Sequence, residues 1–415
     1  MTNIKATKLE NGLTIVTENV PFIRSFSLGF WFLVGSRDET SDNNGISHFI
    51  EHMFFKGTEK RSAKQIAEEI ESLGGYLNAF TTKEHTCFYG RGLTDNFENT
   101  FEVLADMLQN SLFAQNEIEK ERNVVIDELY DIEDSPEELI FDKLESSLYK
   151  GNSLGFPIIG TETNIKSFKT EDLKNFIAEK YSSDNMFVVV SGNVKHEDVV
   201  ELSKRYLIDS FNGKTNRSRV SEFNIGDEFH QKEIQQSHFI YAAPTYGFES
   251  DKRAAVNILS HILGEGSSSR LFQRLREENG ITYQINTFVN SFWEVSSFGV
   301  YFSTNHSFAH KAMELVNDEL DRIKSEEVSE KELNKAKEYI KGNLLMSLES
   351  TTNRMIRLAH SFMYFGKFKS VDESLEEINR VTSKDINELA NEILQPRNMS
   401  RIILSSQNHF IHSAA

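Results

Sequence analysis

The 415-residue sequence predicts an α+β fold built from two similar domains, antiparallel-rich sheets with packed helices, on three observations. The chain is longer than the roughly 100–200 residues of a usual single domain. Short segments of alternating or continuous apolar character interleave with longer segments of helical period. The order of these segments then repeats after a polar stretch at residues 212–230. Hydrophobic residues make up 39% of the chain and include 32 phenylalanines, enough to fill two cores.

In the first half, Asn11-Gly12 separates two alternating segments and reads as a β-hairpin turn. Residues 25–34 (SFSLGFWFLV) form an apolar strand and 43–56 a helix. Residues 62–73 form a second helix, with Ser62 as N-cap and Gly74-Gly75 as its stop. Strands at 76–82 and 84–93 precede helices at 96–109, 116–133 and 136–149, the last with Pro136 in its first turn. A loop at 151–161, a helix at 170–181, a strand at 185–191 and a helix at 197–206 complete the half. The expected N-terminal domain is 1–211, and 212–230 is the linker.

The C-terminal domain, 231–415, repeats the plan. A strand at 238–243 precedes helices at 251–263 and 270–277, then strands at 281–290 and 296–303. Helices follow at 308–323, 329–348, 352–364 and 383–394, and a strand at 400–405 closes the chain. Ser329 with Glu332 is a capping-box pair at the start of the 329–348 helix.

The net charge of −18 argues against nucleic-acid binding, which calls for a basic patch. A single cysteine, Cys87, excludes an intrachain disulfide framework and fits a reducing compartment. The N-terminus lacks an apolar secretory core, and no apolar run reaches the ~20 residues that span a bilayer. A cytoplasmic location is the expectation.

The sharpest local motif is His48-Phe49-Ile50-Glu51-His52. Histidines four residues apart lie one helical turn apart on one face, so both imidazoles reach one ion. Glu51 lies near that face and can act as general base on a water at the metal without being a ligand. The order inverts His-Glu-x-x-His with the same geometric logic. The bland alternative is a solvated helix with two unrelated histidines. A catalytic zinc usually takes three protein ligands and keeps one open position. The segment Glu121–Glu128 offers two carboxylates seven residues apart on one helical face. The spacing alone does not choose between Glu121 and Glu128.

The motif, followed by Glu121-Arg122-x-x-x-Ile126-x-Glu128, resembles the M16 (pitrilysin-like) metallopeptidases. The resemblance implies zinc, one ion per chain, held by His48, His52 and Glu128, with Glu121 orienting ligands or water. Gly74–Thr81 (GGYLNAFT) resembles the family's edge strand, in which Asn78, Ala79 and Phe80 would pair with an extended peptide. Residues 154–161 (LGFPIIGT) resemble another family loop. Leu275–Tyr283 resembles the family's Arg/Tyr segment, implying that Arg276 and Tyr283 contact substrate and help stabilise an oxyanion.

The implied activity is zinc-dependent endopeptidase cleavage of peptides or unfolded polypeptides in a closed chamber. Relatives form a four-domain clamshell, so this two-domain chain implies a homodimer with active sites shared across subunits, and no nucleic-acid or membrane partner. The rivals are an inactive scaffold, a subunit that depends on a distinct partner, and a metallohydrolase of another bond. The presence of His48, Glu51, His52 and Glu128 argues against the scaffold. His85 and Cys87 sit close together, but a lone cysteine near a histidine reads as packing. His409 and His412 read as surface residues of a loose tail. The acidic run Glu117–Glu138 reads as a solvated helix face.

Overall fold

A computed structural model describes residues 3–207 and 211–409; His412 and residues 208–210 lie outside the described residues. The strands are β1 (Asn3–Lys8), β2 (Thr14–Asn19), β3 (Ser25–Phe32), β4 (Tyr76–Thr81), β5 (Thr86–Leu93), β6 (Met186–Gly192), β7 (Asp227–Gln231), β8 (Gln236–Tyr246), β9 (Thr282–Ser291), β10 (Val295–Asn305) and β11 (Ser400–Ser405). They form two sheets, each in its own compact unit, and helices pack on both. The fold is α+β.

The first sheet has the order β1-β2-β6-β3-β5-β4. β1 and β2 are the expected hairpin, turned at Gly12, whose φ of 95° suits glycine. β2 runs parallel to β6, and the remaining neighbours are antiparallel. The second sheet has the order β7-β11-β8-β10-β9. There β7 runs parallel to β11 and the other pairs are antiparallel. Leaving out β1, the two sheets match strand for strand in sequence order, position and direction. The repeat read from element order is therefore a repeat of topology.

The units are not contiguous halves. The first comprises Met1–Tyr130, Phe156–Ser218 and Met346–Phe368; the second comprises Asp131–Gly155, Arg219–Leu345 and Lys369–Ala415. Helix Thr351–Phe365, from late in the chain, packs its Met355, Leu358, Ala359 and Met363 with Val16, Trp31, Cys87 and Val189 of the first sheet. Gly29 on β3 makes room for it: a Cβ there would lie 2.9 Å from Met355 Sδ. Helix Pro136–Leu148, from early in the chain, packs Ile140, Leu144 and Leu148 with Ile240, Ala242, Ile402 and Leu404 of the second sheet.

The stretch 212–230 is only partly a connection, because its end forms β7. Its start is pinned to the first unit, where Arg217 bonds Asp38 at 2.7 Å and the Leu33 carbonyl at 3.1 Å. The sequence reading also missed helices Glu162–Ser167 and Val371–Arg380. The expected 270–277 helix is a π-helical turn, Phe272–Glu277. His409 is buried rather than a surface residue, with Nε2 2.7 Å from Ser237 Oγ. Among the described residues no helix is long and apolar enough to cross a membrane.

Candidate metal centre

The His-x-x-Glu-His motif lies on helix Ile46–Phe54. Ile46, Phe49, Ile50, Met53 and Phe54 are buried, so the helix is fixed in the core and presents His48, Glu51 and His52 from its remaining surface. Its N-terminus is held by Glu39. One carboxylate oxygen accepts from the Gly45 N–H at 2.8 Å, and the other accepts from the Ser47 N–H at 2.8 Å. Asn44 Nδ2 also donates to Glu39, at 2.8 Å. These bonds satisfy amides the helix leaves unpaired, and the anion faces the positive end of the helix dipole.

Gly45, at φ 99°, begins the helix against Gly160 of the loop that the sequence singled out at 154–161. A Cβ on Gly45 would lie 2.7 Å from the Ile159 carbonyl oxygen, so only glycine fits. The segment Gly35–Glu39 also holds the β4–β5 turn. The Arg37 N–H donates to the Lys83 carbonyl at 2.8 Å, and Arg37 pairs with Glu84 at 2.6 Å with both side chains buried. One short segment thus fixes the start of the motif helix and the end of the edge strand.

The partner carboxylates come from helix Gln115–Asp134, where Glu121 and Glu128 share a face. Glu128 Oε1 lies 3.6 Å from His48 Nε2, and Glu128 Oε2 lies 3.5 Å from His52 Nε2. These separations exceed good hydrogen bonds. They match the distance of about 3.4 Å between two donors that each sit ~2.05 Å from one tetrahedral zinc. Among the described residues, His48, His52 and Glu128 are the group whose ligand atoms gather within 4.8 Å. This donor set fits zinc.

Glu121 lies outside this group and contacts His52 and Lys56 instead. Its Oε1 lies 2.8 Å from His52 Nδ1 and its Oε2 lies 2.5 Å from Lys56 Nζ. In the neutral ring the carboxylate makes Nδ1 the donor, which leaves the Nε2 lone pair facing Glu128. Burial lowers the His48 pKa to about 3, and the charge of His52 adds to this, so the ring is neutral at ordinary pH. For His52, burial pulls downward, but the hydrogen bond to Glu121 and the charges of Glu128, Glu121 and Glu51 outweigh it and hold the ring above its usual value. For Glu121, burial pushes upward, but the bonds to His52 and Lys56 prevail and hold the carboxyl below its usual value.

Glu51 is not in the ligand group. Burial raises its pKa, against the lowering effects of a hydrogen bond from Thr81 and the charge of His52. Asn78, Ala79 and Phe80 lie on β4, the open edge of the first sheet, paired through β5 to Tyr89, Phe88 and Cys87. Cys87 is fully buried, and burial holds its thiol well above the ordinary value, in line with packing.

Arg276 and Tyr283 belong to the second unit and meet there. The Arg276 guanidinium lies 4.6 Å from the Tyr283 ring centroid and 4.8 Å from that of Phe272. It donates from Nη1 to the Tyr283 carbonyl at 3.1 Å, and Tyr283 is 78% exposed. The sequence reading missed Glu39, Lys56 and Thr81. Lys56 was findable, being one helical turn beyond His52. Glu39 carries no local signal.

The first unit of this duplicated α+β chain brings two histidines and a glutamate to one point, a donor set of the kind that zinc hydrolases use. Residues 14–162 match the family model described as Insulinase (Peptidase family M16), and residues 167–340 match that described as Peptidase M16 inactive domain. The chain belongs to peptidase family M16. A Bacillus subtilis (strain 168) protein named as an uncharacterized zinc protease is 36% identical over 390 residues, covering 94% of this chain and 95% of its own. The fold is shared with a solved protease from Helicobacter pylori, with TM-score 0.89, 21% identity and coverage of 97% of this chain and 100% of that one. It is shared too with a solved peptidase M16 inactive domain from Pseudomonas fluorescens, with TM-score 0.91, 18% identity and coverage of 98% and 99%. The family and the relatives' names support a zinc protease.

Proposed function

We propose that the chain is a zinc-dependent endopeptidase acting on peptides or unfolded polypeptides, with one zinc per chain. The observation that carries this reading is the convergence of His48, His52 and Glu128 on a single point, with Glu51 outside that group and close enough to feel the charges of His52 and Glu128. When bound, zinc supplies Lewis acidity that polarises a peptide carbonyl and acidifies water. His48, His52 and Glu128 hold the ion, and Glu121 fixes the ring of His52. Glu51 accepts a proton at its carboxylate and delivers it to the leaving amine, a task for which its raised pKa suits it. The free edge of β4 at Asn78, Ala79 and Phe80 pairs with the substrate backbone, which admits varied sequences. Arg276 and Tyr283 supply donors near the reacting carbonyl.

Of the chain's two units, the first holds the proposed metal ligands and the second holds the Arg/Tyr pair. We infer a homodimer in which the pair serves the partner's metal centre and encloses the substrate in a chamber. Cleavage of a quenched-fluorescent peptide library by the purified protein tests the activity. Activity abolished by chelator, restored by zinc and absent in Glu51→Gln is the expected result. Zinc bound without activity would favour a partner-dependent subunit, and neither would favour a scaffold. Mixing Arg276→Ala with Glu51→Gln chains should restore one active site per dimer; no recovery would sink the shared arrangement.

A further inference from the structure

The general base and the substrate-pairing strand are tied together by Thr81. Thr81 Oγ1 donates to Glu51 Oε2 at 2.5 Å. Among the described residues this is the hydrogen bond that Glu51 makes. In the carboxylate form, in which Glu51 serves as a base, its oxygens only accept, so the Thr81 hydroxyl is the donor. The neighbouring Thr86 Oγ1 is committed to the Val34 carbonyl at 2.9 Å and lies 3.4 Å from Thr81, so the Thr81 proton is free for Glu51.

Thr81 is also where strand geometry meets the motif helix. It is the last residue of β4, two residues beyond Ala79 and hence on the same face. Across the ladder Thr81 pairs with Thr86 and Ala79 with Phe88. Phe88 stacks edge-on against Phe54 of the motif helix, at 4.9 Å between centroids, so this face of the two strands lies against that helix. The opposite face, with Phe80 and Cys87, packs against Trp31 instead. Thr81 is held in register at the turn as well: the Ser36 N–H donates to the Thr82 carbonyl at 3.2 Å, and the Thr82 N–H donates to that of His85 at 2.8 Å.

We propose that Thr81 is a positioning residue for Glu51. Its hydroxyl fixes one carboxylate oxygen and leaves the other to exchange protons. Because Thr81 ends the strand that pairs with substrate, the base and the scissile segment are set by one piece of backbone. The proposal rests on the peptidase reading above.

The test is Thr81→Val, which keeps the shape and deletes the donor, beside Thr81→Ser, which restores it. For the zinc-loaded full-length protein, kcat of Thr81→Val should fall about 10- to 100-fold. KM should stay within about twofold, and Thr81→Ser should recover most of the rate. Zinc stoichiometry should be unchanged in both variants. A second readout does not depend on activity. Unfolding midpoints of Thr81→Val, Glu51→Ala and the double variant should be non-additive, since the two residues share one bond. Unchanged kcat in Thr81→Val, failure of serine to rescue, or additive midpoints would each overturn the proposal. A wild type that binds zinc and cleaves nothing overturns the peptidase reading itself, and the coupling of midpoints then reports whether the Thr81–Glu51 bond survives that failure.

Discussion

Glu39 reaches the metal centre only through the helix it caps, and its carboxyl is buried beyond the reach of water. Burial lifts its pKa from 4.5 to about 7, against the lowering effect of its hydrogen bonds to Asn44, Gly45 and Ser47. A carboxyl whose folded value is raised binds its proton more tightly in the native state. Its contribution is therefore fully favourable below about pH 4.5 and is lost as pH climbs towards 7. The stability of wild type relative to Glu39→Gln should decline by about 3 kcal/mol across that interval, measured by denaturant unfolding at several pH values. An invariant difference would contradict the raised value. Glu121→Gln should weaken zinc binding about 10- to 100-fold while zinc still binds one per chain, because it loosens the ring of His52 and removes no ligand. A competition titration with a chelator reads this. His48 and His52 were legible at this scale because one motif names them, whereas spacing left Glu121 and Glu128 open and the structure brings Glu128 to the two rings. Glu39 and Thr81 were not, since their partners lie eight and thirty residues away along the chain.

The motif helix illustrates what an element requires beyond its own residues. Helical spacing brings His48 and His52 together, yet the entry to the helix depends on Gly45 lying against Gly160. Gly45→Ala should cost about 1–3 kcal/mol in stability from backbone strain at positive φ, more if the Ile159 carbonyl cannot yield. Thermal unfolding of the metal-free protein reads the loss, and a midpoint equal to wild type would refute it. Element existence was legible where periodicity was long: the helices at 63–71 and 115–134 and the β4–β5 hairpin all formed. β7 was missed because Asp-Glu-Phe-His-Gln is polar and occupies a sheet edge, where a strand buries little. The π-helical turn at Phe272–Glu277 was read as an ordinary helix because side-chain pattern does not report a shift of backbone bonding by one residue.

Across the whole molecule, the exchange of helices between the two halves of the sequence governs how the chain can be divided. Met355, Leu358, Ala359 and Met363 are almost fully buried on the first sheet. Each large side chain buried this way contributes about 1.5–3 kcal/mol, so their sum is comparable to the roughly 5–15 kcal/mol stability of a typical domain. A fragment ending at Ser218 should therefore fail to fold cooperatively even though it holds His48, His52 and Glu128. Circular dichroism and zinc retention would show this, and a stable, zinc-binding fragment would refute it. Leu358→Ala in the full chain should cost about 2–5 kcal/mol, read from denaturant unfolding.

The sequence by itself determined the α+β class, the order of the two repeats, and the candidate histidine pair with its neighbouring glutamate. Those features rest on local periodicity and on motifs with fixed spacing, which near neighbours in the chain define. Only the tertiary structure decided which segments make up each compact unit, that Glu39 caps the motif helix, and that Thr81 holds Glu51. Each of these depends on apolar faces and unpaired polar groups finding partners outside their own element. That choice is made by burial and hydrogen-bond satisfaction in three dimensions, and linear spacing carries no trace of it.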